Sequence, residues 1–474
     1  MKRIALLLII IFFGLSLLPQ AVGASDTATP KSMSDTCIDP QQDIPRQNGI
    51  SVPQKEATVF GNLSYDREKQ ALTITYSNVS DEDDLWIDIT TKHYDRSVRV
   101  TNTSGFKDFS SDIGYSFEWD GETQSPKLTL TATNQLETQG EEVGYATTPN
   151  WGFLPIPSHS ADTHLRLSGE GFVGDQFILT GSNNVYETSS GCQTIRVIVP
   201  EAAKVSEPPK DIIESLRSAS SDLDIGPRYS RVNAFVLTDP IRRGGAANIH
   251  EFWVHNSSTF EIDSEYRGGV IPSNTWLHEY THTRQLFLTN SYTRIGRNMV
   301  WITEASASYY AVELTTRQQY AGPCEYTRYF WATSRTRIGP VVLRNPDRWG
   351  PNNKGQYRKG ALVLSALDQR IRNETNGRRT LDDVMYRVNT YDGRVTYEEF
   401  KQIVETTAGT ELDEWLDEMV TTSEYPEPGL RKSACRWQLT KEELLHTSKG
   451  QLLLLIFGLT ITAAGYRIRQ WYGK

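Results

Sequence analysis

Residues 274–287 read NTWLHEYTHTRQLF, and the five letters HEYTH within them decide how the rest of the chain is interpreted. On a helix, His278 and His282 project from one face, so both imidazoles can bind one tetrahedral zinc ion. Glu279 is rotated by one residue, so its carboxylate reaches a water in the open coordination position and can act as a general base. Because short patterns also arise by chance, the motif predicts a site only together with a third ligand.

A candidate third ligand lies in the next predicted helix, MVWITEASASYYAVEL, as Glu304. The apolar positions of this helix are expected to pack it beside the motif helix. Two histidines and a glutamate leave the fourth position of zinc for water, which a catalytic site needs. The alternative is a glutamate that the helix dipole stabilises in the first turn. Trp301, Tyr309 and Tyr310 are expected to form the core around the site.

These stretches together resemble the gluzincin zinc metallopeptidases, and within them the glycyl aminopeptidase family, without the PDZ domain often found downstream there. HEYTH is followed by a W-x-x-E-x-x-x-S-Y-Y pattern, and three further stretches agree in order. The resemblance implies Zn2+ as cofactor and a peptide or protein as substrate. The three stretches are YRKGALVLSALDQRIRNETNGRRTLDDVM (357–385), TYEEFKQIVETTAGTELDEWLDEMV (396–420) and WVHNSST (253–259), the last similar to the substrate strand.

The resemblance also implies roles for two catalytic residues. Glu279 takes the proton of a zinc-activated water and returns it to the leaving amine. Tyr357, the first residue of Tyr-x-Lys-Gly, donates a hydrogen bond to the oxyanion of the tetrahedral intermediate. Without the resemblance, the preferred interpretation of Tyr357 is a tyrosine that packs at a helix start.

Several positions depart from the family pattern. Val254 stands where exopeptidases of this group have a glutamate for the free amine of the substrate, and Glu251 lies three residues earlier. Arg284 and Gln285 replace a Trp-Asn pair after the motif, and Ala305 replaces a glycine after the ligand glutamate. Peptide hydrolysis is therefore predicted, whereas endo- or aminopeptidase action stays open.

The strand that contains Val254 can still align an extended peptide by β-addition. On this strand, His250 and His255 are either substrate contacts or ordinary polar strand residues.

The pattern of apolar residues along the chain, together with the resemblance, predicts an α+β fold class. A β-rich N-terminal domain is followed by a thermolysin-like, mostly helical zinc-peptidase domain and a C-terminal membrane segment. Alternating β-branched runs such as ALTITYSNV and TIRVIVP indicate antiparallel strands up to a boundary at EAAKVSEPPKD. The predicted organisation is a signal peptide (1–24), a flexible segment (25–50), the β-rich domain (51–205), the metallopeptidase domain (206–430), a juxtamembrane region (431–450), a transmembrane helix (451–467) and a cytoplasmic tail (468–474).

The two ends of the chain predict export and anchoring. A basic start, an apolar run and small residues before position 25 are typical of a secretory signal, with an uncleaved N-terminal anchor as the alternative. The apolar run near the C-terminus is followed by Arg467, Arg469 and Lys474, which fits a single span with a cytoplasmic tail. An interfacial amphipathic helix is the alternative. The expected location is the cell membrane, with the bulk of the chain extracytoplasmic.

The net charge limits the partners of the protein, and the cysteine content agrees with export. The formal net charge of −9 argues against a nucleic-acid partner. The four cysteines suggest two disulfides in an exported chain, and one arrangement pairs Cys37 with Cys192 and Cys324 with Cys435. The oligomeric state is unknown from the sequence.

Three functions fit the sequence. The first is a membrane-anchored zinc metallopeptidase. The second is a catalytically silent surface binding protein on a zinc-peptidase fold, although such relatives typically lose one of His278, Glu279, His282 and Glu304, and this chain keeps all four. The third is a zinc hydrolase of a non-peptide substrate.

Overall fold

The structure, a computed structural model, describes residues 37–39, 59–80, 85–90, 98–111, 114–132, 144–260, 274–288, 294–335, 340–350 and 354–427. The predicted signal peptide, juxtamembrane region, transmembrane helix and cytoplasmic tail lie outside the described residues. Within the described ranges, no helix is both long enough and apolar enough to cross a membrane.

Twenty strands are present in the described part of the chain, and most lie before residue 201. Their alternating burial confirms the predicted β-rich N-terminal region, as in β2, where every second side chain is buried. The strands are β1 (Cys37–Ile38), β2 (Val59–Asp66), β3 (Ala71–Ser77), β4 (Trp86–Thr90), β5 (Val98–Ser104), β6 (Phe106–Asp108), β7 (Gly114–Trp119), β8 (Lys127–Ala132), β9 (Ala146–Thr147), β10 (Gly152–Pro155), β11 (Ser158–His159), β12 (Thr163–Ser168), β13 (Gly171–Val173), β14 (Phe177–Thr180), β15 (Asn183–Ser190), β16 (Gln193–Pro200), β17 (Arg228–Tyr229), β18 (Arg231–Leu237), β19 (Gly245–Asn248) and β20 (Glu251–His255).

Two sheets enclose the first core. One has the order β12-β2-β3-β8-β5 and the other the order β11-β4-β7-β6. Their inward faces bury a shared apolar cluster that includes Leu63, Ile74, Ile87, Phe117 and Leu130. This packing is the expected outcome for alternating strands, because each sheet must bury its apolar face against another layer.

A third sheet, β13-β14-β10-β9, joins this region to the rest of the chain. Phe153 and Phe177 from this sheet pack against Phe235 and Trp253 of the neighbouring sheet in one apolar cluster. The ring centroids of Phe153 and Phe235 lie 5.5 Å apart. The β-rich part is therefore fastened to the following part through aromatic packing.

The sheet next to the helical part has the order β15-β16-β18-β20-β19. β16, β18 and β20 are parallel, and β15 and β19 are antiparallel edge strands. β15 and β16 precede the predicted boundary between residues 205 and 206, so the sheet runs across that boundary. The proline-rich segment after Pro200 is a connection into the first helix rather than a division between two cores.

The prediction that the N-terminal segment is flexible is also corrected by the structure. Residues 25–50 are predicted to be flexible, yet Cys37 and Ile38 form β1, which pairs in parallel with β17. Cys37 is also bonded to Cys192, as the sequence suggested. Cys324 is disulfide-bonded too, and its predicted partner Cys435 lies outside the described residues. The covalent link and the strand pairing together hold this part of the segment in place.

The helical part begins after β16, as predicted. α6 and α7 each start with a capping box, and Gly409, whose φ of 72° is favourable for glycine, caps the C-terminus of α7. α4 was not predicted from the sequence. The α-helices are α1 (Pro209–Asp222), α2 (Thr275–His282), α3 (Trp301–Arg317), α4 (Pro323–Arg335), α5 (Ala361–Glu374), α6 (Leu381–Thr390), α7 (Tyr397–Ala408) and α8 (Asp413–Thr421).

The helices share one apolar core with the sheet. Trp276 and Leu277 of α2 and Trp301 and Ile302 of α3 are completely buried in it. The predicted core positions Tyr309 and Tyr310 are buried in it too. The described chain therefore has the predicted α+β class, with a β-rich N-terminal region and a mostly helical C-terminal region.

Candidate active site

The motif helix is short and anchored at its start. Asn274 caps α2 by accepting a hydrogen bond from the backbone N–H of Leu277 at 3.3 Å. Trp276, Leu277 and Tyr280 point into the core, and this fixes the rotation of the helix. The helix ends at His282. Because the apolar face is fixed, the opposite face presents the two histidines and Glu279.

The structure brings His278, His282 and Glu304 together. The Nε2 atoms of the two histidines lie 3.2 Å apart. Oε2 of Glu304 lies 3.3 Å from each of them. Three donors bound to one tetrahedral zinc at its usual bond lengths would be about 3.3 Å apart. The three atoms therefore have the spacing of one face of a zinc coordination tetrahedron, and the donor set of two imidazoles and a carboxylate fits Zn2+.

The carboxylate of Glu304 and the ring of His282 each stabilise the charged form of the other. Although burial opposes it, the carboxylate of Glu304 raises the pKa of His282 to about 9. Burial also works against the carboxylate, yet His282 and His278 hold the pKa of Glu304 well below its usual range. Without metal, the donor set thus holds a proton on His282 beside an ionised Glu304.

Glu279 lies next to these ligands, where a general base is expected. The side chain is buried, and burial raises the pKa of this carboxyl group, with the nearby Glu304 adding to the effect and the two histidines opposing it. A raised pKa brings a carboxylate closer to the range in which it can both take and return a proton near neutral pH.

Tyr357 is the fifth predicted site residue, and it lies on a π-helical turn, Gln356–Gly360, at the start of α5. Such turns are frequent at functional sites. The ring of Tyr357 stacks on His278 with centroids 6.0 Å apart and planes 15° apart. Burial, together with Glu304 and Glu279, raises the pKa of Tyr357 far above its usual value, so the hydroxyl keeps its proton and can donate it in a hydrogen bond.

Neighbouring residues hold this turn against the ligand helix. A Cβ atom on Gly360 would stand 2.6 Å from the Cβ of Ala305, so the turn packs directly against α3 beside Glu304. The buried Lys359 donates hydrogen bonds to the backbone oxygens of Val341 at 2.9 Å and Thr422 at 2.7 Å. The Lys-Gly pair after Tyr357 is thus explained by anchoring and close packing.

The structure contradicts the expectation that the WVHNSST strand can align an extended peptide by β-addition. β20, which contains Val254, is an interior strand between β18 and β19, and both of its edges are occupied by pairing. The edge strand beside the site is β19, because a Cβ atom on Gly245 would stand 2.8 Å from Oε1 of Glu279. Sequence reasoning missed β19, and the available signal was the run of small residues GGAAN, which permits such close approach.

The three polar residues singled out on or next to β20 have structural partners. The buried carboxylate of Glu251 accepts hydrogen bonds from the backbone N–H groups of Asp175, Gln176 and Phe177. His250 bonds to the carboxylate of Asp175 at 2.8 Å. These contacts fasten the β13–β14 turn to the sheet, so Glu251 does not serve as the missing amine-binding glutamate.

His255 is also part of the scaffold. The ring is buried, and its Nδ1 lies 2.7 Å from the hydroxyl of Ser257. His255 closes the turn after β20 through this contact. The alternative that these histidines are ordinary strand residues is therefore the one that the contacts favour.

Comparison with known proteins shows the fold. No family model and no curated protein matches the chain. An aminopeptidase N family protein from Idiomarina loihiensis superimposes with a TM-score of 0.57 at 12% identity, over 81% of this chain and 78% of that chain. This chain has the fold of that aminopeptidase N family protein. The likeness confirms the predicted gluzincin-type fold, and at this identity it shows the fold alone.

Two other solved structures are similar over most of the chain. One is a mutant M1 zinc metallopeptidase from Deinococcus radiodurans, bound to a Tyr-Ser-Ala substrate, with 15% identity and a TM-score of 0.49 over 78% of this chain and 95% of that chain. The other is native yeast LTA4 hydrolase, with 12% identity and a TM-score of 0.42 over 81% of this chain and 71% of that chain.

Proposed function

We propose that this protein is a zinc metallopeptidase that hydrolyses peptide bonds. The observation that carries the proposal is the triangle of donor atoms from His278, His282 and Glu304, with sides of 3.2, 3.3 and 3.3 Å. Glu279 and Tyr357 stand beside that triangle. The fold shared with an aminopeptidase N family protein supports the proposal.

Each residue of the site has a distinct part in the proposed reaction. His278, His282 and Glu304 would hold Zn2+, which supplies a Lewis acid that lowers the pKa of a water and polarises the scissile carbonyl. Glu279 accepts the proton of the attacking water on its carboxylate and returns it to the leaving amine. The hydroxyl of Tyr357 donates a hydrogen bond to the oxygen on which negative charge develops.

The substrate is proposed to lie along β19. Among the described residues this strand is at the edge of its sheet, with β20 on its other side. Its outward backbone groups, other than the oxygen of Gly245, which accepts a hydrogen bond from Arg242 at 3.1 Å, can pair with an extended peptide. Gly245 brings the strand into contact with Glu279, and a peptide paired with the strand would thus pass the base. Main-chain pairing of this kind selects an extended backbone rather than a particular side chain.

We also propose that the enzyme is anchored to a membrane by residues 451–467, with its bulk extracytoplasmic. The apolar run, the basic residues after it and the signal-like start support this topology. The disulfide between Cys37 and Cys192 agrees with an oxidising compartment. Protease added to intact cells should degrade residues 25–450, and an ectodomain that survives in intact cells but not in lysed cells would contradict the topology.

The activity is tested with a peptide library and mass-spectrometric mapping of the cut sites. The purified protein should contain about one equivalent of zinc, and Glu279→Gln should abolish the cuts while zinc stays bound. Glu313→Gln is a matched control, because Glu313 is a buried glutamate of α3 that bonds to Arg317. The Glu313→Gln variant should cut the peptide library at the same sites as the wild type.

Two outcomes would reject the proposed function. Unchanged cleavage by Glu279→Gln would exclude this mechanism. A zinc-loaded wild-type protein that cuts no peptide would favour a silent binding protein or, if it hydrolyses an ester or epoxide, a zinc hydrolase of another substrate.

A further inference from the structure

The side chain of Gln285 connects the two helices that carry the predicted zinc ligands. It follows α2 and is only 2% exposed. Its Oε1 lies 2.9 Å from Nδ1 of His282. Its Nε2 donates to the backbone oxygen of Thr303 at 2.7 Å and to the hydroxyl of Ser306 at 2.8 Å, both on α3. One amide therefore touches His282 and the residue that precedes Glu304.

The chemistry of these contacts determines which way the amide points. A backbone oxygen can only accept, so the group of Gln285 that faces Thr303 must be the NH2 group. The amide oxygen then faces His282, and this oxygen can only accept as well. Nδ1 of His282 must therefore carry the proton and donate it. In the neutral ring this leaves the lone pair on Nε2, which is the atom that lies 3.3 Å from Glu304.

We propose that Gln285 is a positioning residue of the metal site, which selects the zinc-binding tautomer of His282 and sets the distance between His282 and Glu304. The inference rests on the zinc site of the proposed function. The first effect acts through Nδ1 of His282, and the second acts through the backbone of Thr303. Groups that orient a ligand imidazole in this way commonly increase metal affinity by about 10- to 100-fold.

The arrangement is specific to one of the two histidines. The hydrogen-bonding contacts described for His278 involve its Nε2, which faces Glu304 and His282, and its ring stacks on Tyr357. Packing thus orients the first histidine, and a buried amide orients the second. Loss of the Gln285 amide should consequently affect His282 and leave the stacking of His278 on Tyr357 in place.

Gln193 offers a matched control. It is also a fully buried glutamine, and it also holds α2, by accepting a hydrogen bond from the hydroxyl of Tyr280 at 2.9 Å. Its Nε2 donates to the backbone oxygen of Tyr229 at 2.7 Å. Gln193→Met removes a buried amide of the same kind from the same helix without touching a predicted ligand. A merely structural role of Gln285 would make the two methionine variants alike.

The test is the zinc dissociation constant of the full-length protein, measured by competition with a chromophoric chelator. Gln285→Met should weaken zinc binding by about 10- to 100-fold, and Gln193→Met should leave it within about twofold of the wild type. Gln285→Glu keeps an acceptor for Nδ1 of His282 but loses the donor to the backbone oxygen of Thr303, so its loss of zinc affinity should be smaller than that of Gln285→Met without reaching the wild-type value. The visible absorption of the cobalt-substituted Gln285→Met protein should also change, and that of Gln193→Met should not.

The outcomes separate this inference from the proposed function. Wild-type affinity in Gln285→Met, or an equal loss in Gln193→Met, would overturn the positioning role while leaving peptide hydrolysis untouched. A wild-type protein that binds zinc but cuts no peptide would reject only the proposed function, and one that binds no zinc would reject both. If the variants do not fold, nitrogen-15 correlation spectra of the zinc-loaded wild type decide, because a proton on Nε2 of His282 would overturn the inference.

Discussion

Gly245 lies against Glu279 so closely that a Cβ atom on the glycine would stand 2.6 Å from Cγ and 2.8 Å from Oε1 of the glutamate. The same atom would stand 2.7 Å from the backbone oxygen of Trp253. The edge strand and the proposed general base are therefore in direct contact. Their mutual position depends on the absence of a side chain at residue 245.

Gly245→Ala should lower kcat/KM by about 100-fold, because the added methyl must displace the carboxylate of Glu279 or the strand by a substantial fraction of an ångström. Zinc content should stay at the wild-type value, since the three atoms nearest to the added methyl belong to Glu279 and Trp253 and not to a predicted ligand. Steady-state kinetics on one peptide substrate, with metal analysis of the same samples, measures both.

Gly174→Ala is the control for this prediction. A Cβ atom on Gly174 would stand 2.3 Å from Oε1 of Glu251, which is a structural carboxylate. This variant should lower the melting temperature while kcat/KM of the folded enzyme is retained. Equal kinetic losses in both variants would show that a clash with any buried carboxylate is enough, and the proposed role of the Gly245 contact would be wrong.

Tyr357→Phe should lower kcat by about 100- to 1,000-fold, because an oxyanion donor contributes mainly in the transition state. The phenylalanine ring can keep the stacking on His278, so zinc binding should be retained. Tyr280→Phe is the control, since Tyr280 lies on α2 and donates its hydroxyl to Gln193 instead. A kcat close to the wild-type value in Tyr357→Phe would assign this tyrosine to packing alone.

Zinc uptake should release about one proton at pH 7.5. The reason is that Glu304 raises the pKa of His282 to about 9, so the metal-free site keeps a proton that a zinc ligand must lose. Calorimetric titrations in buffers of different ionisation enthalpy count this proton. Uptake without proton release would contradict the charge arrangement at the site.

The stability of the zinc-free protein should also depend on pH. A raised pKa of His282 stabilises the folded state fully below the ordinary value of 6.5, and this contribution is lost as the pH rises through about 9. The free energy of unfolding of the zinc-free protein should therefore fall over that window. Denaturant titrations at several pH values measure it, and His282→Gln should remove the dependence.

Peptides with acetylated N-termini should be cleaved nearly as fast as free peptides. β19 consists of Gly245, Ala246, Ala247 and Asn248, and Glu251 is committed to the β13–β14 turn, so neither offers a carboxylate to a free amine. Paired kinetic measurements on one peptide with and without the acetyl group test this. A loss larger than about 200-fold, which exceeds the worth of an ordinary hydrogen bond to a charged group, would instead indicate an aminopeptidase.

Local spacing is the part of this protein that can be read directly from its residues. The separation of His278 and His282 places both on one helix face whatever surrounds the helix, because the helical repeat is a property of the backbone. The helical periodicity after residue 300 and the alternation of β-branched residues before residue 200 are local in the same sense. Local spacing thus accounts for three of the five site residues, whereas Glu304 and Tyr357 reach the motif helix through long-range packing.

Long-range pairing is the part that only the tertiary structure decided. The alternation in β16 predicts a strand but not its partner, and β16 pairs with β18 across the predicted domain boundary. The sequence placed the strand that could pair with a peptide at β20, which is an interior strand. The position of a strand within a sheet depends on the order of all five strands, and local alternation does not give that order. Gln285 and Thr303 are distant along the chain, and only the packing of α2 against α3 makes them hydrogen-bonding partners. The pattern HEYTH thus determined two donors and the base by itself, whereas the fold brought Glu304 to them, set the distances among the three donors and decided which strand faces them.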